Sequence, residues 1–187
     1  LEYKTNKNFL AMSSKKFIVV MVLAIFTGGV LQAQTFKYIG APKCKMCHIK
    51  PAKGEQYKKW LEGPHANAMK TLASDESKKI AAEKGIADPT TDAACVKCHA
   101  TTGHIESGLA AGLKSSEGVS CESCHGPGSA YKSASVMKSR EASMEKGLIL
   151  PTEEVCKTCH NEESPTYKGF NFAEMSAKIA HPDPTLK

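Results

Sequence analysis

Eight cysteines fall into four copies of one spacing, each with a histidine directly after the second sulfur. The copies read Cys44-Lys45-Met46-Cys47-His48, Cys95-Val96-Lys97-Cys98-His99, Cys121-Glu122-Ser123-Cys124-His125 and Cys156-Lys157-Thr158-Cys159-His160. Cys-x-x-Cys-His is the attachment signal for c-type haem. Two intervening residues in a helical turn set the sulfurs to meet the two vinyl groups on one porphyrin edge. The adjacent histidine then projects to the iron as proximal ligand. Zinc sites also use Cys-x-x-Cys, but a histidine after every pair is not their grammar. A thioredoxin-like pair would occur once, and a disulfide framework gives no reason for histidines in register. The sequence therefore predicts four covalent iron haems, with Cys44, Cys47, Cys95, Cys98, Cys121, Cys124, Cys156 and Cys159 as thioether donors.

Of seven histidines, His48, His99, His125 and His160 are taken as proximal ligands, which leaves His65, His104 and His181. These three are predicted to be distal iron ligands. Bis-histidine ligation of four irons needs eight imidazoles, so the chain is one short. At least one iron must take methionine, another donor, water or nothing, and exchange between identical subunits cannot change that ratio. His104 lies five residues after His99, too close to reach the far face of the same porphyrin, so it is expected to serve a neighbour. Met69, Met137, Met144 and Met175 are the thioether candidates, although each reads better as packing. Trp60 reads as packing against a porphyrin.

Holding four such groups falls to short helices and turns. The stretch from Ala66 to Lys84 places Met69, Leu72, Ala73 and Ile80 on one helical face, and Gly85 ends it. Asp92 is placed to cap a helix carrying Cys95 and Cys98, and Thr152 to do the same for Cys156. A helix is expected from Ser129 to Lys146, with Gly147 past its end. Asn171-Phe172-Ala173-Glu174 reads as a capping box, for a helix that stops near Ala180 before His181-Pro182. No sustained strand alternation is present. The fold class is mainly α with much loop and little β.

Composition points the same way. In residues 34–187, Leu, Ile, Val and Phe supply 21 of 154 residues, below the roughly 20% at which a chain struggles to build its own core. Large apolar cofactors would fill that interior. At the other end, Met12 looks like a start: Lys15 and Lys16 precede an apolar run from Phe17 to Leu31, and Gln32-Ala33-Gln34 offers a cleavage region. Residues 1–11 read as upstream translation, 12–33 as a signal peptide and 34–187 as one tetrahaem domain with no membrane span after cleavage. The location expected is periplasmic or extracellular, where c-type haem is attached. Residues 34–187 carry 21 basic and 18 acidic side chains. With no dense basic run, nucleic-acid binding is unsupported.

Together these segments resemble the tetrahaem cytochrome c-554 family. The likeness is carried by Trp60-Leu61-Glu62-Gly63-Pro64-His65-Ala66 and Cys98-His99-Ala100-Thr101-Thr102-Gly103. It continues in Gly118-Val119-Ser120-Cys121-Glu122-Ser123-Cys124-His125-Gly126-Pro127-Gly128-Ser129, the most specific stretch. Phe170-Asn171-Phe172 and Lys178-Ile179-Ala180-His181-Pro182 complete it, so that it spans about 40–187. The resemblance implies a small multihaem cytochrome c fold, with helices and loops wrapped around closely stacked haem pairs. It also implies three bis-histidine irons and one open iron, in the type member the second, here that of His99. The type member accepts electrons from hydroxylamine oxidoreductase, a source that does not transfer by resemblance. One departure stands out: the family's distal histidine shortly after Gly-Pro-Gly is replaced here by Ser129-Ala130-Tyr131.

The function expected is electron transfer between a redox donor protein and an acceptor, without substrate chemistry. Two alternatives belong to other classes. An open iron would allow a haem enzyme that reduces nitric oxide or a similar small oxide. Self-association, as a homo-oligomer or a conducting filament, would carry electrons across subunit contacts.

Overall fold

A computed structural model describes residues 35–110 and 112–185 of the chain; the expected signal peptide and the residues before it lie outside them. Among the described residues the structure is helical and contains no strand. Ten short α-helices run α1 Ala41–His48, α2 Gln56–Glu62, α3 Ala68–Leu72, α4 Asp75–Glu83, α5 Ala93–His99, α6 Cys121–His125, α7 Ala134–Met137, α8 Arg140–Glu145, α9 Glu153–Lys157 and α10 Phe172–Ile179. Single 3-10 turns at Pro51–Lys53, Thr101–Gly103, Ser107–Leu109 and Ser115–Glu117 join them. No helix among these is long and apolar enough to cross a membrane.

Several predicted boundaries hold. The Asp92 carboxylate accepts the Ala94 N–H at 2.9 Å and starts α5. Asn171 accepts the Glu174 N–H at 3.1 Å and starts α10, which stops at Ile179. The reciprocal half of that box is replaced by an ion pair from Glu174 to Lys178, one turn on, at 2.6 Å.

Other expectations are corrected. The helix expected from Ala66 to Lys84 is two helices, α3 and α4, because Ser74 turns extended and accepts the Ser77 N–H at 3.2 Å. A hydroxyl that caps a new helix interrupts the old one. The helix expected from Ser129 to Lys146 is likewise divided. Ser133 caps α7 and Ser139 caps α8, each accepting an N–H three residues on. Thr152 occupies the cap position of α9 without capping it. Its hydroxyl turns to the Glu154 carboxylate, which is held below the usual carboxylate range.

What lies inside this fold is unusual. The buried apolar residues are Ala41, Leu72, Ala81, Ala100 and Tyr131, while the largest fully buried side chains are Glu122, Thr101, Ser120 and Ser143. Glu122 organises the N-terminal half of this interior. Its carboxylate accepts the Ile39 N–H at 3.0 Å, the Gly40 N–H at 2.7 Å and the Gly128 N–H at 2.6 Å. Beside it Glu117 accepts the Ala41 N–H at 2.8 Å. Two carboxylates from distant sequence thus satisfy donors at the N-terminus of α1, an end that is otherwise short of acceptors.

Replacing Glu122 by alanine would strand three N–H donors, at about 1–3 kcal/mol for each buried group left unsatisfied. Glu122→Ala is expected to lose at least about 3 kcal/mol, and Glu122→Gln clearly less. Guanidinium unfolding midpoints of the purified proteins check both; equal losses would mean that the acceptor is not what matters.

Candidate haem-binding sites

Each predicted attachment motif forms the required helical turn. The motifs at 44–48, 95–99 and 121–125 lie within α1, α5 and α6. The fourth begins in α9 and continues as a turn, with the His160 N–H donating to the Cys156 carbonyl at 3.0 Å. An i to i+4 bond of this kind keeps the second sulfur and the histidine on the helical path that a porphyrin edge requires.

The motifs are also brought together. The neighbouring Cys121 thiol eases loss of a proton at Cys44, whereas Cys44 and burial oppose it at Cys121. Burial, with Cys156 and Cys159 nearby, pushes the Cys124 thiol up to about 11. Burial and its neighbour Cys159 push Cys98 to about 11 as well. In the fold α1 packs on α6, which sets the first motif beside the third, Thr101 just past the second bonds Ser123 of the third at 2.7 Å, and Cys98 of the second lines one cleft with Cys159 of the fourth. Cys95 and Cys156 are raised by burial too. Among the described residues no three His, Cys, Asp or Glu side chains converge into a metal cage.

Four of the seven histidines are held by main-chain carbonyls. Nδ1 stands 2.9 Å from the Ala68 oxygen in His99 and 3.1 Å from that of Lys97 in His104. It stands 3.3 Å from the Ile149 oxygen in His125 and 2.7 Å from that of Ile179 in His181. A carbonyl only accepts, so Nδ1 carries the hydrogen and Nε2 keeps its lone pair, the arrangement of a metal-ligating histidine. Burial pushes His65 and His125 below the usual imidazole value, again favouring the neutral ligand form.

Two of the three surplus histidines face a motif histidine. The rings of His65 and His160 have centroids 6.0 Å apart, and those of His125 and His181 stand 6.1 Å apart. Two metal–nitrogen bonds of about 2 Å each, with the half-rings behind them, give a centroid separation of roughly that size. The donor set therefore fits an iron held between two imidazoles. Phe170 stacks on His160 at 5.1 Å, a packing role that spacing alone did not indicate.

His48, His99 and His104 have no such opposed ring among the described residues. His104 is exposed and lines a cleft of about 500 Å³ with Cys98, Cys159, Val155 and Ile149. That size lies within the range of about 300–1,000 Å³ typical of ligand sites. Of the methionine candidates, the Met137 sulfur accepts the Ser143 hydroxyl at 3.8 Å, Met69 is half-buried, and Met144 and Met175 are exposed. Trp60 donates its indole N–H to the Val119 carbonyl at 2.9 Å.

Positions missed in the sequence hold this assembly in register. Thr101, two residues past the second motif, bonds Ser123 inside the third motif at 2.7 Å and Ser120 at 3.0 Å. The Val119 N–H donates to the His65 carbonyl at 3.0 Å. Gly118 packs against the same carbonyl: at its φ of 65° a Cβ would meet the His65 oxygen at 2.5 Å. Gly118→Ala is expected to cost about 1–3 kcal/mol from its backbone conformation alone, more with the clash. Calorimetry should show a lower Tm by about 2–4 °C for each kcal/mol, and an unchanged Tm would contradict this packing.

A profile described as cytochrome c554 and c-prime matches residues 43–126. A cytochrome c-554 from Nitrosomonas europaea is 31% identical over 172 residues, covering 81% of this chain and 70% of that relative. No solved structure matches the chain.

Proposed function

The chain belongs to the cytochrome c-554 family, and on that premise we propose that it is an exported tetrahaem relay between redox proteins. Family membership carries the coarser statement, electron transfer through covalently attached c-type haem. The finer reading is supported above all by one observation: all four attachment motifs form the required turn, and two of their histidines, His160 and His125, stand 6.0 Å and 6.1 Å from a second imidazole, that of His65 and of His181.

In this reading the chain's residues divide the work. The eight motif cysteines hold the porphyrin edges, and His48, His99, His125 and His160 take the proximal positions. His65 is the distal ligand opposite His160, and His181 is the one opposite His125. His104 offers a free Nε2 to one of the two remaining irons, which leaves at least one without a second histidine. When bound, each haem supplies an iron that changes by one electron between ferric and ferrous. The carbonyls of Ala68, Ile149 and Ile179 fix the imidazoles that set that iron's field. The Glu122 and Thr101 networks hold neighbouring motifs at constant separation, so that little must reorganise between the two oxidation states.

Intact mass of the exported protein is expected to equal the polypeptide plus four haems; bare polypeptide or fewer haems would overturn the tetrahaem assignment. His65→Ala is expected to convert one low-spin iron to high-spin, read by electron paramagnetic resonance of the oxidised protein. An unchanged spectrum would remove His65 from the ligand set.

A further inference from the structure

The molecule's charge is spread unevenly. Residues 43–59 carry Lys43, Lys45, Lys50, Lys53, Lys58 and Lys59 against one acid, Glu55. Over the rest of residues 35–187 acids outnumber bases, 17 to 15. Folding of α1 gathers part of this charge on one face. Lys43, Met46, Cys47 and Lys50 then fall at i, i+3, i+4 and i+7, one face of the helix and the turn that follows it. All four are exposed, Met46 at 72%. Ile49 is exposed beside them, and Lys45 sits over the Tyr57 ring at 5.6 Å.

The same face bears a sulfur. Of the eight motif cysteines Cys47 is exposed, and the other seven are partly covered. Among the described residues no carboxylate forms an ion pair with Lys43, Lys45 or Lys50. Glu117 and Glu122 are committed to main-chain N–H groups, and Glu55 pairs with Lys58 at 3.5 Å. Lys53 is excluded from the patch because Asp183 holds it at 3.6 Å.

We propose that the Lys43-Met46-Cys47-Lys50 face is the docking surface for an acidic redox protein and the port through which electrons enter or leave at the first motif. This inference rests on the haem reading. Lysines on the rim steer an oppositely charged partner, while Met46 and Ile49 give a small apolar centre of the kind interfaces favour. The contact is small, as transient redox encounters are. With a reduced partner docked, the donor loses one electron and one ferric iron becomes ferrous; no bond forms or breaks.

The test uses the haem-loaded full-length export product and flavodoxin hydroquinone, an acidic one-electron donor protein, in stopped flow. The second-order reduction rate of the wild type is expected to fall as salt is raised. Lys43→Glu/Lys50→Glu is expected to slow it about tenfold or more at low salt and to flatten the salt dependence. Lys79→Glu/Lys84→Glu, in the middle of α4 and just past its end and of equal charge change, is expected to stay within about threefold of wild type. The neutral pair Lys43→Gln/Lys50→Gln should fall between, and serves if the reversed pair does not accumulate. Equal slowing by the two reversed pairs, no slowing at all, or a wild-type rate that rises with salt overturns the docking surface. Haem count by mass and full reduction by dithionite are read on the same samples. Loss of those in the wild type defeats the haem reading, whereas their survival with a failed salt test defeats only this inference.

Discussion

An interior without enough apolar side chains is the constraint from which this fold follows. Ordinary domains exclude water with Leu, Ile, Val and Phe; here the largest fully buried side chains are a glutamate, a threonine and two serines. Such groups are costly to bury unless every donor and acceptor is met. They are met here, and by main chain for the most part. Glu122 takes three N–H groups, and Thr101 bonds both a carbonyl and two hydroxyls. The polar network fixes where the segments cross. The apolar filling between them is left to flat cofactors, each tethered by two sulfurs.

That division suits a carrier of electrons. A core of packed side chains would separate redox centres by its own thickness. A chain of short helices pinned by hydrogen bonds lets attachment motifs come close together, as Thr101 just past the second does with Ser123 of the third. Exposed ion pairs such as Lys97 with Glu163 and Lys157 with Glu153 add little to this, because water screens them.

The chemistry was legible in the sequence and the geometry was not. Four identical spacings identify the attachment sites because thioether chemistry allows almost no variation in them. Asp92 and Asn171 were legible as caps because a side-chain oxygen two or three residues ahead of its N–H partner is a local contact. Ser74 and Ser139 were not, since a serine inside an apolar pattern is as often solvent-facing as capping. The pairing of His65 with His160 spans nearly a hundred residues and depends on where Val119 meets the His65 carbonyl. Nothing local encodes that. Glu122 was hidden for a different reason: it occupies a position the attachment motif leaves free, and two of its three partners, Ile39 and Gly40, lie 83 and 82 residues upstream.

Where a second imidazole is found depends on which distant segments cross. The third and fourth motifs are those whose histidines face a second ring, and the first and second are those whose histidines do not. Both partner rings arrive from far along the chain: His65 from the turn whose carbonyl Val119 holds, and His181 from just beyond α10. The opposed imidazole is thus supplied by long-range packing and not by the motif itself. A chain one histidine short of eight can leave out one such ring without disturbing any attachment turn, because each turn is closed by its own local hydrogen bonds.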